Sequence, residues 1–167
     1  MKKLLLILPM VFLFCFTFGC QKAEEEAKEG LTEEEVNAMM VEVVKVWNNA
    51  DMEACNRVFS ADYVDHDPAS GDTIGLDAFK ERIRAMHENV SSIDLSIHET
   101  FIKGNKVAVL GNWKITHISG ADIELPGVNI IRIEDGKIVE STYYYDTKKE
   151  LEQLCYKILP PEKQEKK

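Results

Sequence analysis

The first half of the sequence places apolar residues at helical spacing. Thr32 and Glu35 form a capping-box pattern, and the apolar positions behind them predict a helix over 32–49: Val36, Met40, Val43, Val44 and Trp47. Asp51 is placed to cap a second, short helix. A third helix is predicted from about 76 to 89, with Phe79, Ile83 and Met86 facing inward.

After Ser92 the apolar positions alternate with polar ones, as they do in a half-buried strand. Four such stretches begin at Ile93, Val107, Ile123 and Ile138, and short turns separate them. The last turn contains Asp135-Gly136, a strong hairpin signal, so the strands are predicted to form an antiparallel meander. A final helix is predicted over 147–156, with Asp146 as its cap.

This order of elements predicts an α+β fold. We expect a strongly curved antiparallel sheet, a four-stranded meander, packed against three N-terminal helices and followed by a short C-terminal helix. A curved sheet that is covered by helices encloses a pocket. The domain is expected to occupy residues 31–157.

The segment before the domain has the plan of an export signal. Lys2 and Lys3 precede an apolar run that ends at Gly19-Cys20, and this junction resembles a bacterial lipobox. The resemblance implies a signal peptide over 1–19 and a diacylglycerol on Cys20; an uncleaved anchor or plain secretion are the alternatives. We therefore expect a protein of the bacterial cell envelope, attached to a membrane by lipid. Gln21 after Cys20 would permit outer-membrane sorting in a Gram-negative cell.

Charge narrows the possible partners. The 167 residues include 29 acidic and 20 basic side chains, for a net charge of −9, whereas nucleic-acid binders need a basic surface. Residues 20–30 are predicted to be an acidic tether and residues 158–167 a charged tail. Cys55 and Cys155 are predicted to lie on different helices, and the sequence leaves open whether they form a disulfide or remain free.

Several sequence motifs, in order along the chain, resemble those of the SnoaL-like polyketide cyclases and related ester cyclases of the nuclear transport factor 2 superfamily. They are 59–68 (FSADYVDHDP), 75–79 (GLDAF), 116–120 (THISG), 132–140 (RIEDGKIVE), Asp146 and 151–154 (LEQL). The resemblance implies the cone-shaped fold. It also implies an intramolecular aldol cyclisation that needs no cofactor, with an acid/base group in an apolar pocket.

The resemblance places the expected acid/base residues at two positions of this sequence. The family's catalytic Asp corresponds to Tyr143 and its assisting His to Asn129. A tyrosine with an ordinary pKa of about 10 is a poor base at neutral pH, and an amide transfers no proton. Cyclisation by the family mechanism is therefore not expected from these two residues.

Other side chains are candidates for the pocket chemistry. His66, beside Asp65, and His117 could each act as a base, and Tyr143 is the third catalytic candidate. The ligand-binding candidates are Trp113, Asn129, Tyr143, Tyr145 and Asp65. His87 and His98 are expected on solvent faces, and Arg132 is expected to pair with Glu140 across a hairpin. The spacing of potential ligands predicts no metal, and the resemblance to the cyclases implies that no cofactor is needed.

Three functions are compatible with these observations. The first is a lipid-anchored domain that binds a small apolar or carbonyl-containing ligand. The second is a cofactor-independent cyclase, isomerase or hydrolase that uses His66 or His117 as its base. The third is an interaction module that forms a homodimer through the open face of the sheet.

Overall fold

The computed structural model describes residues 30–157 and Leu159. The predicted signal peptide, Cys20, nearly all of the acidic tether and most of the charged tail lie outside the described residues. No helix among the described residues is long and apolar enough to cross a membrane.

Four helices are observed, at the positions that the sequence predicts. They are α1 (Glu33–Asn49), α2 (Met52–Val58), α3 (Leu76–Asn89) and α4 (Thr147–Gln153). Both halves of the Thr32–Glu35 capping box form, and the Asp51 and Asp146 side chains cap α2 and α4. Helix α4 ends three residues earlier than predicted, since Cys155 has a left-handed backbone with φ of 65°.

The sheet has six strands and not the predicted four. They are β1 (Phe59–Asp67), β2 (Gly71–Ile74), β3 (Val90–Lys103), β4 (Lys106–His117), β5 (Asp122–Glu134) and β6 (Lys137–Tyr145). Their order across the sheet is β2-β1-β6-β5-β4-β3. The antiparallel meander β3–β6 is present, but β1 pairs in parallel with β6, so the sheet is mixed.

The two additional strands also change the order of the elements. Strands β1 and β2 form an antiparallel hairpin between α2 and α3, so only two helices precede the sheet. Residues 59–67 lack clean alternation of apolar and polar positions, because two of the inward positions, Asp65 and Asp67, are acidic. The prediction of three helices ahead of all strands was therefore wrong.

The helices and the sheet enclose one main apolar core. Fully buried side chains from α1, α2, α3 and the strands contribute to it, among them Val36, Val46, Cys55, Phe79, Ile83, Val107, Ile131 and Ile138. Cys55 is buried in α2, whereas Cys155 is exposed after α4, and both are free thiols. The sequence left open whether these two cysteines form a disulfide, and the structure shows that they do not.

Candidate functional site

A cavity lies between the helices and the inner face of the sheet. Its larger part has a volume of about 380 Å³, and a smaller inner part of about 50 Å³ adjoins it. The larger volume is within the range of about 300–1,000 Å³ that is usual for small-molecule sites. Four aromatic side chains line both parts: Trp47, Trp113, Tyr143 and Tyr145.

The aromatic side chains form walls that meet at nearly right angles. The ring of Trp47, on α1, is 4.7 Å from that of Trp113, on β4, with an angle of 82° between the planes. The same Trp47 ring is 6.5 Å from the ring of Tyr143 at 89°. Strand alternation turns Tyr143 and Tyr145 of β6 inward, whereas Tyr144 points outward and is 60% exposed.

The polar end of the cavity is built around Arg82. Its position on α3, three residues after the buried Phe79, turns the guanidinium toward the sheet. Nη2 is 2.9 Å from Oδ2 of Asp67, and Nη1 forms an ion pair with Asp65. The hydroxyl of the buried Tyr63 donates to Asp65 at 2.7 Å. Because Asp65 is fully buried behind this ion pair, Asp67 is the carboxylate of β1 that lines the cavity.

The two β1 carboxylates differ in their environments. Burial raises the pKa of Asp65, despite the hydrogen bond from Tyr63 and the charge of Arg82. Burial acts in the same direction on Asp67, but hydrogen bonds from the Ser70 and Ala69 amides together with Arg82 outweigh it and lower the pKa. Asp67 is therefore held as a carboxylate at neutral pH.

Glu150 of α4 brings a third carboxyl group to the cavity. Burial raises its pKa, and the neighbouring charge of Asp67 adds to the effect. The hydroxyl of Tyr145 lies between these two groups, since it is 3.4 Å from Oδ2 of Asp67 and also interacts with Glu150. Two carboxyl groups with opposite pKa shifts thus share one cavity.

Asn129 and Tyr143 lie on the wall of the inner part of the cavity. Oδ1 of Asn129 is buried and has no hydrogen-bond partner within the described part of the chain. Burial raises the pKa of Tyr143 well above its ordinary value, so its hydroxyl is protonated and can donate a hydrogen bond. Neither side chain supplies a base.

The structure places His66 on the opposite face of β1 from Asp65 and Asp67. Its Nδ1 is 2.8 Å from Asp72 on β2 and its Nε2 is 3.3 Å from Glu140 on β6. Alternation along the strand explains the separation, since adjacent residues point to opposite sides. In this position His66 joins three strands at the surface.

The remaining histidines also lie apart from the larger cavity. His117 bonds to Ser119 and lines a surface groove that borders the cavity at Glu150. His87 is partly buried, and its Nε2 lies 2.8 Å from the carbonyl oxygen of Trp47, in place of the solvent face that we expected. His98 is exposed, as expected, and its Nε2 lies 3.3 Å from Oγ of Ser96.

Two other expectations concern ions. The pair between Arg132 and Glu140 forms, with Nε 2.8 Å from Oε2. Within the residues that the structure describes, no group of three or more histidine, cysteine, aspartate or glutamate side chains is arranged to hold a metal. Asp65 and Asp67 are instead occupied by Arg82.

Sequence reasoning missed Arg82 and Glu150, and treated Asp67 only as a neighbour of His66. The signal for Arg82 was its helical spacing from Phe79, which places it on the inward face of α3. Asp67 follows Tyr63 and Asp65 at period two, the spacing of one strand face. Glu150 lies on a seven-residue helix without a buried residue, and no local pattern marks it.

Comparison with known families gives a match over most of the domain. The model of a family described as SnoaL-like domain matches residues 40–141, which is more than half of the chain. No curated protein matches the sequence.

Several solved structures share the fold. TsrD from Streptomyces laurentii superposes with a TM-score of 0.67 at 19% identity, covering 74% of this chain and 97% of its own. An LEH-like epoxide hydrolase from M. tuberculosis superposes with a TM-score of 0.64 at 16% identity, covering 73% of this chain and 90% of its own. A protein from Catenulispora acidiphila with a ketosteroid isomerase-like fold was solved in complex with trimethylamine. It superposes with a TM-score of 0.63 at 20% identity, covering 74% of this chain and 93% of its own. At these identities the likeness establishes the fold alone.

Proposed function

Because the chain belongs to the SnoaL-like domain family, we propose that it is a membrane-anchored binding domain for a small, largely apolar or carbonyl-containing molecule. The observation that carries this proposal is the cavity itself. Apolar and aromatic side chains form most of its wall, and a few polar groups gather at one end: Asp67, Ser70, Arg82, Tyr143, Tyr145 and Glu150. This division is typical of sites that hold an apolar body and orient a polar end.

The neighbours of the fold leave the ligand class open. One is an LEH-like epoxide hydrolase and another was solved in complex with trimethylamine, so neutral and cationic small molecules are both candidates for this chain.

The proposal is tested by identifying what the protein retains. The full chain is purified from membranes in detergent, and small molecules released on denaturation are identified by mass spectrometry. Met86→Trp is the control, because a larger side chain at this cavity position would occupy the ligand volume. We expect a molecule that the native chain retains and the variant loses. The same set of molecules on both chains would contradict the proposal.

The anchor has a separate test. We propose that acylated Cys20 holds the protein at the membrane, because the mature chain would have a net charge of −11 (18 basic and 29 acidic residues) and be repelled by anionic lipid. Cys20→Ala should move the protein to the soluble fraction, while Cys155→Ala, at an exposed free thiol, should leave it membrane-bound. A Cys20→Ala form that stays in the membrane would overturn the anchor.

Cofactor-independent acid/base catalysis is the second candidate function. Asp67 and Glu150 favour it, since a carboxyl group with a lowered pKa and one with a raised pKa in the same cavity can act as base and acid. In this version Asp67 takes the role that the sequence suggested for His66 or His117. Hydration of small epoxides is a suitable assay, with Asp67→Asn expected to abolish turnover and His66→Gln to retain it. If His66→Gln lost turnover and Asp67→Asn did not, His66 would be the base in place of Asp67.

A further inference from the structure

We propose that the ligand of this cavity is an organic cation, a small alkylammonium or arylalkylammonium, with its nitrogen at the polar end, beside Asp67 and Glu150, and its apolar part among the aromatic walls. This inference rests on the proposed binding function and specifies the chemical class of the ligand. Charge, hydrogen-bonding capacity and the aromatic walls support it independently.

The first argument is the balance of charge. The cavity is lined by Asp67, Arg82 and Glu150, and Asp65 lies directly behind the guanidinium. Three carboxyl groups therefore surround one cation, and with these groups ionised the site carries a net negative charge. A bound cation relieves this imbalance, whereas a carboxylate ligand would add to it in a partly desolvated site.

The second argument concerns donors and acceptors. Both terminal nitrogens of Arg82 are engaged by Asp65 and Asp67, and the hydroxyl of Tyr145 donates to Asp67. Oδ1 of Asn129 is a buried acceptor without a partner among the described residues. Besides the Tyr143 hydroxyl, which can donate, the cavity presents the acceptors of Asp67, Asn129 and the Glu150 carboxyl group, so a hydrogen-bond donor is the ligand group that it can hold by several contacts. An ammonium group donates and accepts nothing.

The third argument is the arrangement of the rings. Trp47 stands nearly perpendicular to both Trp113 and Tyr143, and Tyr145 completes the aromatic lining of the cavity. Rings on several sides of one space can offer their negative faces to a cation, which is how aromatic cages bind alkylated amines. A purely apolar ligand would need neither these faces nor the carboxylates.

Glu150 is the residue on which the test depends. The charged and titratable groups that share the cavity with it are Asp67 on β1, Arg82 on α3, and Tyr143 and Tyr145 on β6, and His117 on β4 and Tyr156 share the adjoining surface groove with it. It lies on α4, which has no buried residues, so a change of its side chain should leave the core intact. Glu152, on the same helix, is exposed and pairs with Lys148, and it provides the matched control.

The experiment uses three probes of one size and different charge: benzylamine, benzyl alcohol and benzoate. The chain has two tryptophans, Trp47 and Trp113, and both line the cavity, so intrinsic fluorescence of the full chain reports binding directly. We expect benzylamine to bind at least about fivefold more tightly than benzyl alcohol, and benzoate to bind most weakly, since only the amine brings a positive charge to the carboxyl groups and so forms an ion pair as well as a hydrogen bond.

The variants separate charge from shape. Glu150→Gln should weaken the binding of benzylamine by about five- to tenfold, because the amine loses one charged partner, and it should leave the binding of benzyl alcohol unchanged. Glu152→Gln should change neither probe. The native preference for benzylamine should also grow as the pH rises, because burial raises the pKa of Glu150 and its negative charge develops only at higher pH than that of an ordinary glutamate.

The outcomes distinguish this inference from the function on which it rests. If benzyl alcohol or benzoate binds as tightly as benzylamine, the cation assignment is overturned while the binding function stands. If Glu150→Gln weakens amine and alcohol alike, Glu150 acts only through shape and the assignment also fails. If none of the three probes changes the fluorescence, both the inference and the proposed function fail.

Discussion

Asn129 and Tyr143 lie directly opposite each other on β5 and β6, and both line the inner part of the cavity. The resemblance to cyclases would place a histidine and an aspartate at this pair. The carboxyl groups of the cavity stand elsewhere, on β1 and α4, as Asp67 and Glu150. The chemistry of this cavity is therefore concentrated at its outer end.

Replacement of Asn129 by leucine should stabilise the protein. The side chains have similar size, and the variant removes a buried amide oxygen that has no partner in the described part of the chain. We expect the free energy of unfolding to rise by about 1 kcal/mol, as measured by chemical denaturation. A loss of stability would show that the amide is satisfied in solution.

Replacement of Arg82 by leucine should destabilise the fold by about 3–5 kcal/mol, because it leaves Asp65 and Asp67 as neighbouring carboxylates without a cation. Loss of the guanidinium raises the pKa of both groups in the folded state above their unfolded values. The loss of stability relative to the native protein should therefore become smaller as the pH falls from 7 toward 5, because the two carboxylates take up protons. Arg84→Leu is the control on the same helix, at an exposed pair with Glu81, and should stay within about 0.5 kcal/mol.

His66 should contribute a small, pH-dependent stability. Its pKa is raised by the hydrogen bond to Asp72 and, to a lesser degree, by Glu140, so the folded protein holds the proton more tightly than the unfolded chain. The contribution is complete below the unfolded pKa of about 6.5 and is lost as the pH rises through the folded value. At pH 5.5 we expect the free energy of unfolding of the native protein to exceed that of His66→Asn by less than about 1 kcal/mol, since the site is at the surface. A difference that grows toward pH 8.5 would contradict this sign.

Gly127 should not tolerate a side chain. A Cβ at this position would lie 2.8 Å from the carbonyl oxygen of Tyr144 and 3.2 Å from Cβ of Tyr145. Gly127→Ala should lower the free energy of unfolding by about 1–3 kcal/mol, as measured by thermal or chemical unfolding, because the contact is with the backbone of the adjacent strand. Gly30→Ala, where a Cβ meets no atom within 4 Å, should be neutral. Equal stability of both variants would mean that β5 and β6 can separate slightly at this point.

The sequence predicted the elements whose periodicity is carried by apolar residues. The caps at Thr32, Asp51 and Asp146 and the hairpin at Asp135-Gly136 are local signals, and each was confirmed. Strand β1 was missed because its inward positions include Asp65 and Asp67, which satisfy their charges through Arg82, fifteen or more residues away. Long-range pairing of this kind leaves no periodic pattern.

The same reason limits prediction of the site. Inward positions of β4 and β6 follow from alternation, so Trp113, Tyr143 and Tyr145 could be placed on the cavity wall from sequence. Glu150 reaches the cavity only because α4 folds back beside β5, where Gln153 accepts a hydrogen bond from the amide of Glu124. No feature within residues 147–153 predicts that contact.

The parallel pairing of β1 with β6 has a consequence for the order of folding. The register joins Val64 to Glu140 and His66 to Thr142, positions more than 70 residues apart, and places β6 between β1 and β5. Such a sheet closes only after its last strand is available, and contacts this distant in sequence form slowly. Until β6 is in place, Asp65 and Asp67 have no neighbouring strand on that side, and the cavity lacks the wall that Tyr143 and Tyr145 provide. The domain should therefore reach its ligand-competent state late in folding, in a single step in which the first and last strands meet.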